Sequence, residues 1–203
     1  LLMNYKVFHP TKIVNCKVDL PASKSISNRL LIIQALCKQD FEIKNLSNSN
    51  DTNSLRNALN ATENTIDVGA AGTSFRFLTS YLTTQKGREF ILTGADRMKE
   101  RPIQNLVAAL QLLGAQIGYL EKDDFPPLKI KGTTILGGEI IIDASISSQF
   151  ISSLLLIAPT LANGLILNIS GNLVSKSYIQ MTLGLMEEFG VNHCWNGNKI
   201  VVN

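Results

Sequence analysis

A chain of 203 residues has room for one large domain or two small ones, with a sizeable core. Hydrophobic residues at 45% and charged ones at 17% describe a globular protein, and a net charge of +3 without a basic block argues against nucleic acid. The longest apolar runs, "LLII" and "LLLIAP", fall far short of the roughly 18 residues a membrane span needs.

The scattered Cys16, Cys37 and Cys194 make no disulfide framework, which fits a reducing, cytoplasmic setting. No basic segment followed by an apolar stretch and a cleavage site opens the chain, so no signal peptide is expected. Leu1 is not an initiator Met and the chain stops on "KIVVN", a strand pattern. A piece of something longer is therefore expected.

Taken in order, the predicted elements repeat. "KVDLPASKSISNRLLIIQAL" reads as a short strand, a small-residue turn and an apolar helix. The strand "FEIKNL" and the helix "SNDTNSLRNAL" follow it. "TIDVGAAGTSFRFLTSYL", "REFILTG" and "RPIQNLVAALQLLGA" give the same succession, then "IGYLEKDDFPPLKIKG" adds a hairpin with Pro126 and Pro127 at its turn. "EIIIDASISSQFISSLLLIAPTL", "LILNISG" and "KSYIQMTLGLMEEFG" give it a third time, ending on "NKIVV".

The second helix of the middle copy carries Ile103, Leu106, Val107, Leu110 and Leu113 on one face, with Pro102 suited to its first turn and Gly114 to its cap. Ile179, Leu183, Met186 and Phe189 repeat that face in the third copy, closed by Gly190. The expected fold is α/β (α+β), a pseudo-threefold repeat of βαβαββ units with helices packed under sheets.

The first helix of each copy opens on small and hydroxyl-bearing residues: "PASKSIS", "GAAGTS" and "DASISSQ". Ser and Thr are ordinary N-caps, but repeated helix starts that converge also form a site for an anion. Lys24 sits in a first turn, where the helix dipole disfavours a cation. Arg29 lies about a turn further on, and Arg76 holds the equivalent place in the second copy. Arg97, Lys99 and Arg101 cluster in "GADRMKERP". A guanidinium binds phosphate or carboxylate as a fork, while lysine offers a point charge or a proton.

Other chemistries find little support. His9 and His193 are far apart, and "HC" at 193–194 is too little for a zinc site. "GAAGTS" lacks the GK[ST] ending of a P-loop and the third glycine of a dinucleotide fingerprint. The residues alone point to a small, multiply anionic metabolite.

At these positions the sequence resembles the 5-enolpyruvylshikimate-3-phosphate (EPSP) synthase family. "LPASKSISNR" is similar to its LPGSKSxSNR stretch, "GAAGTSFRFL" to its GNAGTxxR loop and "LTGADRMKERPI" to LTGxxRMxxRPI. "SISSQFISSLLLIAP" resembles its SSQF helix and "LVSKSYI" its LVSxPYI turn. The resemblance covers nearly the whole chain but only the first half of a family member. It implies one lobe of the enolpyruvyl transferase (inside-out α/β barrel-like) fold. Residues 1–20 would belong to a strand of the other lobe, with repeats at about 21–65, 66–136 and 137–203, and the second lobe lies outside the chain.

The implied reaction transfers the enolpyruvyl group of phosphoenolpyruvate to the 5-hydroxyl of shikimate 3-phosphate through a tetrahedral intermediate, releasing phosphate. No metal or organic cofactor, nucleic acid or membrane is implied, and the full-length protein is expected to be monomeric. Carried over by position, Lys24 would meet both substrates and transfer a proton. Ser25, Arg29, Ser147, Ser148, Ser175 and Tyr178 would bind shikimate 3-phosphate, Arg29 near its carboxylate and the last four near its phosphate. Gly72 and Arg97 would lie against phosphoenolpyruvate, and Gln149 would reach both substrates, with Thr73 and Arg76 in support.

The sequence also departs from the pattern. Ala70 stands where the family commonly has Asn, Phe77 and Ser177 replace prolines, and "LNATENTIDVG" is too short for the first unit's hairpin. The family's acidic catalytic residues, second lysine and two phosphoenolpyruvate-binding arginines would lie in the other half. The alternatives are the related UDP-N-acetylglucosamine enolpyruvyl transferase, whose catalytic Cys loop has no match here, and a non-catalytic anion-binding module.

Overall fold

The computed structural model describes residues 6, 8–13, 15–37, 39–143, 147–173 and 175–203. Among them, two four-stranded sheets cover a set of packed helices. The middle unit runs β1 (Thr65–Asp67), α3 (Gly72–Thr83), β2 (Glu89–Thr93), the short α4 (Asp96–Lys99), α5 (Gln104–Leu112), β3 (Gln116–Tyr119) and β4 (Leu128–Lys131). It follows α1 (Lys24–Leu36) and α2 (Asn50–Leu59). The last unit runs β5 (Gly138–Asp143), α6 (Ser148–Ile157), β6 (Leu165–Ser170), α7 (Lys176–Glu188), β7 (His193–Asn196) and β8 (Lys199–Val202).

Both sheets have one plan. In the order β1-β2-β4-β3 and β5-β6-β8-β7, the first pair is parallel and the other two pairs are antiparallel. The parallel pair is bridged by a helix, as parallel strands require, and the antiparallel pair closes as a hairpin. Alternation puts Phe90 and Leu92 of β2 inward while Glu89 and Ile91 face out. Ile130 lies opposite both Phe90 and Ile117, and Leu167 lies opposite both Ile140 and Ile200, so each inner face is a continuous aliphatic layer.

The helices under these layers are buried on most sides. Ile151, Leu154, Leu155 and Ile157 of α6 are wholly inaccessible, because α6 packs on both α3 and α7. That explains its unbroken apolar run, since a helix buried all round needs no polar face. Gly114 and Gly190 take positive φ just past α5 and α7, as their sequence positions predicted. Pro102 precedes α5 rather than entering it, because Ile103 is the N-cap.

Two expectations change. The strand patterns at 17–20 and 41–46 form no ladder, and Lys44 and Asn45 make a turn instead. The first unit is also trimmed: α2 ends at Leu59 and β1 starts at Thr65, so no hairpin like β3–β4 or β7–β8 follows α2. The threefold pattern survives in the helix pairs α1/α2, α3/α5 and α6/α7, while the described strands belong to two units. Phe189, expected on the buried face of α7, is the C-cap, 39% exposed. Its ring lies against Phe41 at 4.8 Å, covering the loop of the first unit.

Candidate active site

Of the three helix mouths predicted to converge, those of α1 and α6 meet at Arg29, joined there by α7 rather than by α3. Arg29, one turn into α1, is 2% exposed. Its Nε donates to Thr182 Oγ1 at 2.7 Å and one terminal nitrogen donates to the Ser25 carbonyl at 2.9 Å. The other donates to Ser152 Oγ at 3.0 Å and to the Tyr178 carbonyl at 3.2 Å. One guanidinium thus joins α1, α6 and α7. Its plane lies near the rings of Phe77 and Tyr178, 5.4 and 5.8 Å away.

All four of those acceptors are neutral oxygens. Burial pulls the guanidinium's pKa down to about 10, with Tyr178 acting in the opposite sense. A buried cation held by neutral partners gains from an anion placed beside it.

A second junction surrounds α3. Lys24, the first residue of α1, donates to Asp51 at 3.4 Å, which offsets the dipole's disfavour of a cation there. Asp51 also accepts from the Ser74 backbone N–H at 3.4 Å and its hydroxyl at 3.1 Å. Gly72 begins α3 after Ala71, whose side chain makes no cap; with the Ser74 N–H taken by Asp51, the N–H groups of Gly72 and Thr73 are the donors the mouth offers. A Cβ on Gly72 would stand 2.7 Å from Arg101 Nη1 and 2.8 Å from Arg76 Nη1. The two guanidiniums therefore close on that glycine, and Arg76 donates to its carbonyl at 2.8 Å. Burial lowers Arg76's pKa first, Arg101 lowers it further and Asp51 raises it.

The sequence-predicted residues fall into these surroundings unevenly. Ser147 is the N-cap of α6, its hydroxyl accepting from the Gln149 N–H at 3.2 Å. Ser148 is buried behind it. Gln149 Oε1 is buried with no hydrogen-bond partner among the described residues, as is Arg76 Nε. Ser175 precedes α7 at φ +59°, a costly conformation for a residue with a Cβ, and its side chain caps nothing. Tyr178 is 43% exposed, with its ring at the Arg29 plane. Arg97 stands exposed on the short α4. Residues 144–146 of the third mouth and Val174 of the "LVS" turn lie outside the described residues.

Sequence reading passed over Asp51, Ser74, Ser152 and Thr182. Asp51 looks like an ordinary first-turn acid, and the hydroxyls sit inside helical runs. Buried hydroxyls at 0% exposure in Ser152 and Thr182 are the signal, visible only once the helices are packed. Ser27 and Asn28, in contrast, bind the loop and helix that follow: Ser27 accepts from the Ser47 N–H and Asn28 from Thr52.

Two sheet-covered βαβαββ units with basic, hydroxyl-rich helix mouths define one lobe of an enolpyruvyl transferase fold. EPSP synthase from Acinetobacter baumannii has this fold, with a TM-score of 0.79 at 21% identity over 91% of this chain and 46% of that one. The sequence model described as EPSP synthase (3-phosphoshikimate 1-carboxyvinyltransferase) matches residues 8–62 and 53–202, and the chain belongs to that family. A 3-phosphoshikimate 1-carboxyvinyltransferase of Bacteroides fragilis (strain YCH46) is 47% identical over 200 residues, 98% of this chain and 48% of the relative. One of Photobacterium profundum is 41% identical over 215 residues, 93% of this chain and 50% of the relative. The chain spans about half the length of the curated relatives it matches. No described helix is long and apolar enough to cross a membrane.

Proposed function

We propose that this chain supplies the shikimate 3-phosphate-binding lobe of an enzyme that moves the enolpyruvyl group of phosphoenolpyruvate onto the 5-hydroxyl of that substrate. The observation that carries the reading is the buried Arg29, held by neutral oxygens where the hydroxyl-bearing starts of α1, α6 and α7 meet. In this reading a carboxylate lies beside Arg29 and a phosphate on Ser147, Ser148 and Ser175. Tyr178 would border the phosphate, and Ser25 would hold the same substrate from α1.

Phosphoenolpyruvate would lie toward Gly72 and Arg97, with Gln149 between the two substrates. A proton goes to its methylene carbon, the 5-hydroxyl oxygen bonds to its central carbon, and the tetrahedral adduct then loses phosphate and a proton. Lys24 is the candidate group in this chain for proton transfer with phosphoenolpyruvate. Fixed donors around two multiply charged substrates suit this chemistry, since preorganised groups cost nothing to reorient as charge develops.

Residues 6, 8–13 and 15–20 are exposed along their whole length, including Phe8, Ile13, Val18 and Leu20. That supports their assignment to a second lobe, with the crossing near Leu20-Pro21 and substrates in the cleft between. The enzyme would work as a cytoplasmic monomer. The 203 residues alone would bind shikimate 3-phosphate weakly at best and not turn over.

The test is phosphate release by the full-length product of the gene that encodes this chain. Shikimate 3-phosphate with phosphoenolpyruvate should yield phosphate, and UDP-N-acetylglucosamine in its place should not. Turnover with the nucleotide sugar, or product from the 203-residue chain alone, would contradict the reading.

A further inference from the structure

We infer that Asp51 is a positioning residue for Lys24, because its carboxylate bridges the Lys24 ammonium on α1 and the first turn of α3. The inference rests on the role proposed for Lys24. An acid in a helix's first turn ordinarily serves its own helix, by capping or by meeting the dipole. Here that duty is already filled: Ser49 is the N-cap of α2, its hydroxyl accepting from the Thr52 N–H at 3.3 Å. The carboxylate of Asp51 turns outward to two other helices instead. Oδ2 takes Lys24 Nζ at 3.4 Å, while Oδ1 takes the Ser74 N–H and hydroxyl. The one Ser74 hydroxyl proton is shared with the Asp51 backbone carbonyl, which lies closer at 2.7 Å, while the Ser74 N–H holds Oδ1.

The charges around it make the arrangement directional. Lys24 of α1, Arg76 of α3 and Arg101 ahead of α5 are all cationic, and Arg76 responds to Arg101 and Asp51 in opposite senses. Without a carboxylate, the flexible lysine stem would swing away from two guanidiniums and into solvent, where its side chain is already 47% exposed. Asp51, at 18%, keeps the ammonium at the α3 mouth that Gly72 opens. Holding a reacting group in place is worth rate rather than affinity for the partner substrate held elsewhere. The bonds of Arg29 share no group with this bridge.

Asp51→Asn in the full-length protein tests this. The amide is isosteric, so the melting temperature should stay within a few degrees. We expect kcat to fall roughly 10- to 100-fold and KM for phosphoenolpyruvate to rise, with a smaller rise in KM for shikimate 3-phosphate, which Arg29 and the α6 and α7 starts would also hold. Asp51→Glu should recover part of kcat, and Ser74→Ala should be milder than Asp51→Asn. Acetylation of Lys24 by acetic anhydride, followed by mass spectrometry, should speed up several-fold in Asp51→Asn, whether or not the protein turns over. Unchanged kcat in an active protein, or an unchanged acetylation rate, would overturn the inference. So would a uniform loss across both KM values and kcat that Ser74→Ala reproduces. Lack of turnover in the unsubstituted protein would instead sink the proposed function, leaving the acetylation rate to decide on Asp51.

Discussion

Arg29→Lys in the full-length protein is expected to weaken shikimate 3-phosphate binding by roughly 10- to 100-fold while leaving the fold intact. Lysine keeps the charge and much of the stem, but it cannot serve Thr182, Ser152, Ser25 and Tyr178 together as Arg29 does. The ammonium would therefore take some of those oxygens and stand in the wrong place for a carboxylate. Arg29→Ala adds a stability cost. The one Thr182 hydroxyl proton can still go to the Tyr178 carbonyl at 2.8 Å or to Ser152 Oγ at 2.9 Å, but the bonds to Arg29 are lost inside a closed junction. Each buried group left unsatisfied costs about 1–3 kcal/mol. Calorimetry gives the affinities and urea denaturation the stability. Equal affinity in wild type and Arg29→Lys would move the carboxylate site elsewhere.

The second large effect is expected at Gly72. In Gly72→Ala the new methyl meets Arg101 Nη1 at 2.7 Å and Arg76 Nη1 at 2.8 Å, closer than real Cβ contacts. Both neighbours are ends of flexible side chains, so they yield and the fold survives. What is lost is their closure over the α3 mouth, together with close approach of a ligand to its free N–H groups. KM for phosphoenolpyruvate should rise roughly 10-fold or more, with shikimate 3-phosphate affinity less affected, because the groups proposed to hold its carboxylate and phosphate lie on α1, α6 and α7. Steady-state kinetics in both substrates checks this. A parallel loss for both would mean that α1 and α3 move as one body.

Much of this organisation is legible in the sequence because it is local. The period of "LVAALQLL" and the alternation of "REFILTG" are set by each segment's own geometry, and α5 and β2 follow them. "FEIKNL" is as strand-like by pattern, yet a strand needs a partner, and among the described residues none pairs with it. The site divides the same way. Lys24, Gly72 and Ser147 declare themselves by standing at helix starts. Ser152 and Thr182 do not, because their value lies in bonds to a guanidinium 123 and 153 positions away. Asp51 is hidden for the same reason: its partners are 27 and 23 positions away, on other helices.

The central claim is that the mouths of α1, α6 and α7 form one anion site around Arg29. Titration of the full-length protein with shikimate 3-phosphate, with and without inorganic phosphate, tests it most directly. Saturable binding that phosphate weakens competitively, and that Arg29→Lys and Ser148→Ala both diminish, is the predicted result. Binding indifferent to phosphate and to both substitutions would contradict it.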